Sequence, residues 1–103
     1  MPQLIPSKKF LKDLETFKKQ KVLRKKIAKT LSLLESNPRH PRHPGLNLER
    51  IINDKTAWSI RVDKNYRISI EPISQSNLFS INWDKGVYLL RVLGHDDLYR
   101  SPH

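Results

Sequence analysis

Two arginines and a histidine–tyrosine pair are the residues of this sequence whose type and spacing could do chemistry. Arg61 lies in the run Trp58-Ser59-Ile60-Arg61-Val62, and Arg67 in the run Tyr66-Arg67-Ile68-Ser69-Ile70. Such alternation marks strands with one apolar face, and Asp63-Lys64-Asn65 between them marks a turn. In an antiparallel pair, facing residues have a constant index sum, and both apolar sets must share a face. A three-residue loop at 63–65 sets Val62 opposite Tyr66, Ile60 opposite Ile68 and Trp58 opposite Ile70. It also sets Arg61 directly opposite Arg67, on the face turned away from those apolar side chains. Like charges directly opposite one another destabilise a sheet. Either an anion sits between the two guanidinium groups on an open face, or a carboxylate such as Asp63 or Glu71 neutralises them.

His95 and Tyr99 stand four apart in Gly94-His95-Asp96-Asp97-Leu98-Tyr99-Arg100, a segment that reads as a turn or short helix. In a helical turn the two side chains share one side. Histidine is the usual general acid or base near neutral pH, and a tyrosine can donate a proton or stack on a nucleic-acid base. The alternative for His95 is a surface or capping histidine. His40 and His43 are three apart, but prolines interrupt the spacing and no Cys or fixed carboxylate accompanies them, so no metal site is expected. No cofactor is expected either: there is no Gly-rich phosphate loop, no Gly-x-Ser-x-Gly elbow and no paired-Glu signature. Ser59 and Ser69 lie in strands without a recognisable nucleophile setting.

The elements that must position these groups follow from the same periodicities. Ser7 is a good N-cap, and Phe10, Leu14 and Phe17 then recur at helical spacing, with Glu15 and Lys19 placed to pair. A second stripe, Leu23, Ile27, Leu31 and Leu34, ends at Ser36-Asn37-Pro38, because the residue before proline is pushed out of the α region. Two amphipathic helices with a short joint make a hairpin whose apolar side needs a second layer. Residues 38–45, with three prolines and a glycine, read as a stiff extended loop. After residue 46 the period becomes strand-like. Phe79, Ile81 and Trp83 alternate, and Val87-Tyr88-Leu89-Leu90 is apolar throughout, as in a central strand. Asp84-Lys85-Gly86 reads as a turn and residues 72–78 as a loop, so 79–83 is expected to be an extra hairpin strand. The expectation is one α+β domain over residues 1–103, with an N-terminal helical hairpin packed on one face of a mainly antiparallel, twisted sheet.

Composition narrows the partners. The formal net charge is +10, and residues 1–45 carry 12 Lys and Arg against 3 Asp and Glu, whereas residues 46–103 carry 8 against 7. A basic field on the helical part steers a protein toward polyanions or an acidic partner; the bland alternative is a soluble lysine-rich face. Lys25, Lys26 and Lys29 fall largely off the apolar stripe and are candidates to meet phosphates. The absence of Cys fits the cytosol. No run approaches a membrane span, and the first residues do not read as a signal peptide.

The residues so assembled resemble a known family. Two helices, then Trp58-Ser-Ile-Arg-Val-Asp-Lys-Asn-Tyr-Arg-Ile68, then Gly94-His-Asp-Asp-Leu-Tyr99, with the lead-in His43-Pro-Gly-Leu46, look like the RelE/ParE toxin superfamily. The ending is most similar to its YafQ-like branch. The resemblance implies the toxin of a type II toxin–antitoxin pair, an mRNA endoribonuclease that needs no metal and leaves 2′,3′-cyclic phosphate and 5′-OH ends. It implies that Arg67 contacts the scissile phosphate, Arg61 is a basic strand position, His95 the terminal acid or base and Tyr99 the terminal aromatic. His43 matches a loop histidine of that branch, whereas its strand histidine and aspartate are not clearly reproduced. Partners implied are a cognate antitoxin, mRNA and the ribosome, with the basic helices on rRNA. Rival readings are a ParE-type gyrase poison, against which His95 and Tyr99 speak, and a non-catalytic nucleic-acid binder.

Overall fold

The structure, a computed structural model, describes residues 3–36, 46–52, 54, 56–75 and 81–103. Its elements run β1 (Gln3–Pro6), α1 (Lys8–Thr16), α2 (Lys21–Ser36), β2 (Glu49–Arg50), β3 (Trp58–Arg61), β4 (Tyr66–Gln75), β5 (Ile81–Gly94) and α3 (His95–Arg100). The strands form one sheet in the order β1-β5-β4-β3-β2. Neighbours are antiparallel except β1, which runs parallel to β5.

Ser7 caps α1 as expected: its Oγ accepts from the Phe10 N–H at 3.1 Å. The same residue fastens the helix to the sheet, donating from N to the Leu89 carbonyl at 2.9 Å and from Oγ to that of Leu90 at 2.8 Å. Glu15 pairs with Lys18 at 3.7 Å and not with Lys19. The helix stops at Thr16, so the four-residue spacing does not carry on to Lys19. Asp13 is buried among the apolar residues of α1, where it takes a bidentate bond from Arg91 of β5 (2.8 and 3.0 Å) and the Val92 N–H at 3.1 Å. The α2 stripe is buried at Leu23, Ile27 and Leu34. Thr30 lies on that buried side, its hydroxyl turned back to the Lys26 carbonyl at 2.9 Å, while Leu31 is partly buried.

The helical hairpin packs on one face of the sheet. Phe10, Phe17, Leu23, Ile27 and Leu34 meet Ile60, Ile68, Ile70, Val87, Leu89 and Val92 there. Alternation along the strands sends Ser59, Arg61, Arg67 and Ser69 to the other face. That face is not bare. Leu98 of α3 packs with Ile51 and Ala57, joined by Leu90, Leu93 and Tyr99, and the tail crosses Ser69, whose Oγ donates to the Pro102 carbonyl at 2.6 Å.

The C-terminal half departs from expectation in one respect. Asp84-Lys85-Gly86 is not a turn, and 81–83 are not a separate strand: residues 81–94 form the single strand β5, while β4 continues through 72–75; the rest of the expected loop and strand, 76–80, lies outside the described residues. Gly86 adopts φ 107° at the point where β1 comes alongside, opposite Gln3. A Cβ at that position would collide with the backbone of Gln3, so the glycine serves a close strand approach. Pro72 is accommodated in β4 beside a register shift, where a missing N–H is tolerated. The expected loop at 38–45 lies outside the described residues. No helix among the described residues is long and apolar enough to cross a membrane.

Candidate active site at the β3–β4 turn and α3

The register argued from parity is the one observed: Trp58 faces Ile70, Ile60 faces Ile68, and Arg61 faces Arg67. The turn closing this hairpin is built by Asp63. Its Oδ1 accepts the N–H groups of Asn65 and Tyr66, both at 2.9 Å, the side-chain turn that Asp forms well. Its Oδ2 takes Lys26 Nζ from α2 at 3.3 Å. Burial pulls the Asp63 carboxyl up, but those two N–H groups and the Lys26 ammonium outweigh it and hold the carboxyl below its ordinary value.

The same turn orients two further groups. Arg67 Nη1 donates to the carbonyl oxygens of Asp63 and, at 3.0 Å, of Tyr66. The Asn65 carbonyl accepts the backbone N–H of His95 at 2.8 Å, which pins the start of α3 beside the turn. A cleft of about 650 Å³ opens between them, lined by Lys64, Asn65, Arg67, Gly94, His95, Asp96, Asp97 and Arg100. The lining thus holds three basic side chains, two carboxylates and one histidine. Asp96 and Asp97 also occupy the first turn of α3 and Arg100 its last, the arrangement that helix dipoles favour.

His95 is half-exposed, with Nδ1 3.2 Å from Asp96 Oδ1. Its ring lies 4.4 Å from that of Tyr99 at 59°. The Tyr99 hydroxyl points to a separate polar cluster, donating to Glu49 Oε2 at 2.9 Å and lying 3.2 Å from Ser59 Oγ. Burial pushes the Tyr99 pKa up; the Ser59 hydrogen bond opposes this, the Glu49 carboxylate adds to it, and Arg67 opposes it least, leaving the hydroxyl above its ordinary value. Tyr99 therefore offers its ring to His95, while its proton is held by Glu49.

Of the residues singled out from sequence, the structure brings Arg67, His95 and Tyr99 together. Arg61 is opposite Arg67 along the backbone but is exposed and lines a different cleft, about 320 Å³ in volume, with Lys26 and Lys29. Neither Asp63 nor Glu71 neutralises the arginine pair; among the described residues no carboxylate pairs with Arg61 or Arg67. Lys25 is exposed on α2 and lines neither cleft. Lys26, read as a phosphate ligand, is committed to Asp63. His43 lies outside the described residues, as does His40, and among the described residues no cluster of three or more His, Asp or Glu could hold a metal ion. Lys64, Asn65, Arg100 and Glu49 were not foreseen. Lys64 and Asn65 were legible as a turn and nothing more, and Glu49 gains meaning only through its pairing with Ser59 across β2 and β3.

No protein-family model matches this sequence, and no curated protein does. Solved structures do match in fold. One match is the crystal structure of the E. coli DinJ–YafQ complex, at TM-score 0.67 and 15% identity, covering 95% of this chain and 98% of that one. A second is YafQ from E. coli strain BL21(DE3), at TM-score 0.67 and 14% identity over the same shares. The chain has the YafQ fold.

Proposed function

We propose that this chain is the toxin of a type II toxin–antitoxin pair and that it cleaves RNA by attack of a ribose 2′-OH on the adjacent phosphate. The observation that carries this reading is the cleft in which one turn sets Arg67 beside His95, with Lys64 and Arg100 at its walls. With Nδ1–H given to Asp96, His95 presents Nε2 as an acceptor. Nε2 takes the 2′-OH proton, O2′ bonds to phosphorus, and the P–O5′ bond breaks. The products are a 2′,3′-cyclic phosphate and a 5′-OH whose proton comes from solvent. Charge grows on the non-bridging oxygens meanwhile. Arg67 spends Nη1 on the turn and keeps Nε and Nη2 for them, as preorganised charge-assisted donors. Tyr99 holds the imidazole in place.

The YafQ fold supports this reading, and the complex of YafQ with DinJ supports a cognate antitoxin as partner. The proposed substrate is mRNA in the cytoplasm, read on the ribosome, with the lysine-rich helices against rRNA phosphates. The test is controlled expression with 5′-end mapping of cellular RNA. Wild type is expected to arrest growth and create new 5′-OH ends, and Arg67→Ala and His95→Ala to do neither. Growth arrest with unchanged RNA ends overturns the reading in favour of a gyrase poison or a binding protein.

A further inference from the structure

The second cleft adjoins the first across one peptide bond. Asp63 lines one and Lys64 the other, so their Cα atoms are about 3.8 Å apart. The turn thus contributes neighbouring residues to two clefts, each with cations in its lining, and forms the ridge between them. The second hollow combines two kinds of surface. Arg61 and Lys29 supply charge, and no carboxylate pairs with either among the described residues. Leu33, Leu46 and Val62 supply an apolar wall. The acidic residue of the lining, Asp63, is fully engaged by two N–H groups and Lys26. At about 320 Å³ the space falls at the lower end of ligand pockets, which run from about 300 to 1,000 Å³. An apolar wall beside cations without a carboxylate partner fits a nucleotide: the base would lie against the partly buried Leu33 and Val62 and the phosphate would meet the Arg61 guanidinium.

We propose that this hollow is a second nucleotide subsite. A single RNA strand crosses the ridge with its scissile phosphate at Arg67 and His95, and with a neighbouring nucleotide seated between Arg61, Lys29 and Leu33. Arg61 is then a binding residue whose contribution requires a substrate long enough to reach it. Continuity with the first cleft favours RNA over an acidic peptide segment as occupant. The proposal rests on the ribonuclease reading for the first cleft, but its test is made by binding.

The test uses fluorescein-labelled 2′-O-methyl RNA, which cannot be cleaved, as a dinucleotide and as a hexanucleotide, with binding followed by anisotropy. In wild type the hexanucleotide binds more tightly. In Arg61→Ala, and in Arg61→Ala with Lys29→Ala, the ratio of hexanucleotide to dinucleotide affinity is expected to fall about tenfold. The slope of log K against log salt should lessen by about 0.7 for each single-strand phosphate that is no longer neutralised. Circular dichroism of the variants verifies that these surface changes leave the fold intact. Equal losses on both lengths, or no loss on either, overturn the subsite. So does loss of acidic-peptide or antitoxin binding with the RNA ratio unmoved. Failure of the ribonuclease reading is recognised separately: length-dependent binding persists while wild type leaves cleavable RNA intact.

Discussion

At the residue scale, the candidate site divides labour between groups that would touch RNA and groups that hold them. His95→Ala is expected to lower cleavage of a defined RNA oligonucleotide by about 10²–10⁴-fold, the usual contribution of a positioned acid or base. Arg67→Lys should recover little of what Arg67→Ala loses, because an ammonium cannot bind the turn carbonyls and a phosphate with one planar fork. Tyr99 separates ring from hydroxyl. Tyr99→Phe keeps the ring against His95 and should retain most of the rate, whereas Tyr99→Ala should not; equal losses would put the hydroxyl in the chemistry. Asp63 makes a prediction in pH. Its carboxyl lies below the ordinary 3.8 in the folded chain, so its stabilisation is full above the unfolded value and is lost as pH falls through the folded one. In urea titrations, Asp63→Asn should cost stability at neutral pH, and the gap from wild type should close as pH drops below about 4.

At the scale of elements, legibility followed how local the signal was. The β3–β4 register was readable because two short alternating runs flank a small turn, leaving parity one consistent solution. The helix cap at Ser7 was readable for the same reason. The length of β5 was not, because Asp84-Lys85-Gly86 has turn chemistry and the true use of Gly86, a close approach of β1, depends on a partner strand over 80 residues earlier. Asp13 left a signal that went unused: with Phe10, Leu14 and Phe17 it falls inside the apolar stripe, where a carboxylate needs a buried partner. Arg91 supplies it, and its own pKa is raised first by that hydrogen bond. Asp13→Ala strands the Arg91 charge and should cost about 3–5 kcal/mol in urea unfolding. Gly86→Ala forces β1 from its place and should cost more than about 1 kcal/mol in the same assay. The candidate site was half legible. Residue types pointed to Arg67, His95 and Tyr99. The walls contributed by Lys64 and Arg100, and the parting of Arg61 from Arg67, depend on how α3 meets the turn.

At the scale of the whole molecule, charge is distributed unevenly: the +10 total resides almost wholly in residues 1–45. Most of this field belongs to helices that lie across the sheet from the His95 cleft, so on the proposed function docking and cleavage would use different faces. If the helical face binds duplex RNA on a ribosome, Arg24→Gln with Lys25→Gln should reduce the salt slope of ribosome pelleting by about 0.9 for each phosphate left without its cation. An unchanged slope would mean that these cations meet solvent alone.

The tether between the Asn65 carbonyl and the His95 amide also sets a timetable. Ser7 and Asp13 find their partners 83 and 78 residues downstream, and His95 lies in the last of the described helices. During translation the ribosome therefore holds a chain whose imidazole has not yet been synthesised and whose first strand has nothing beside which to lie. On the proposed function, the cleft would stay unassembled, and the chain inert toward RNA, until residues 81–100 have emerged to pair with those early partners.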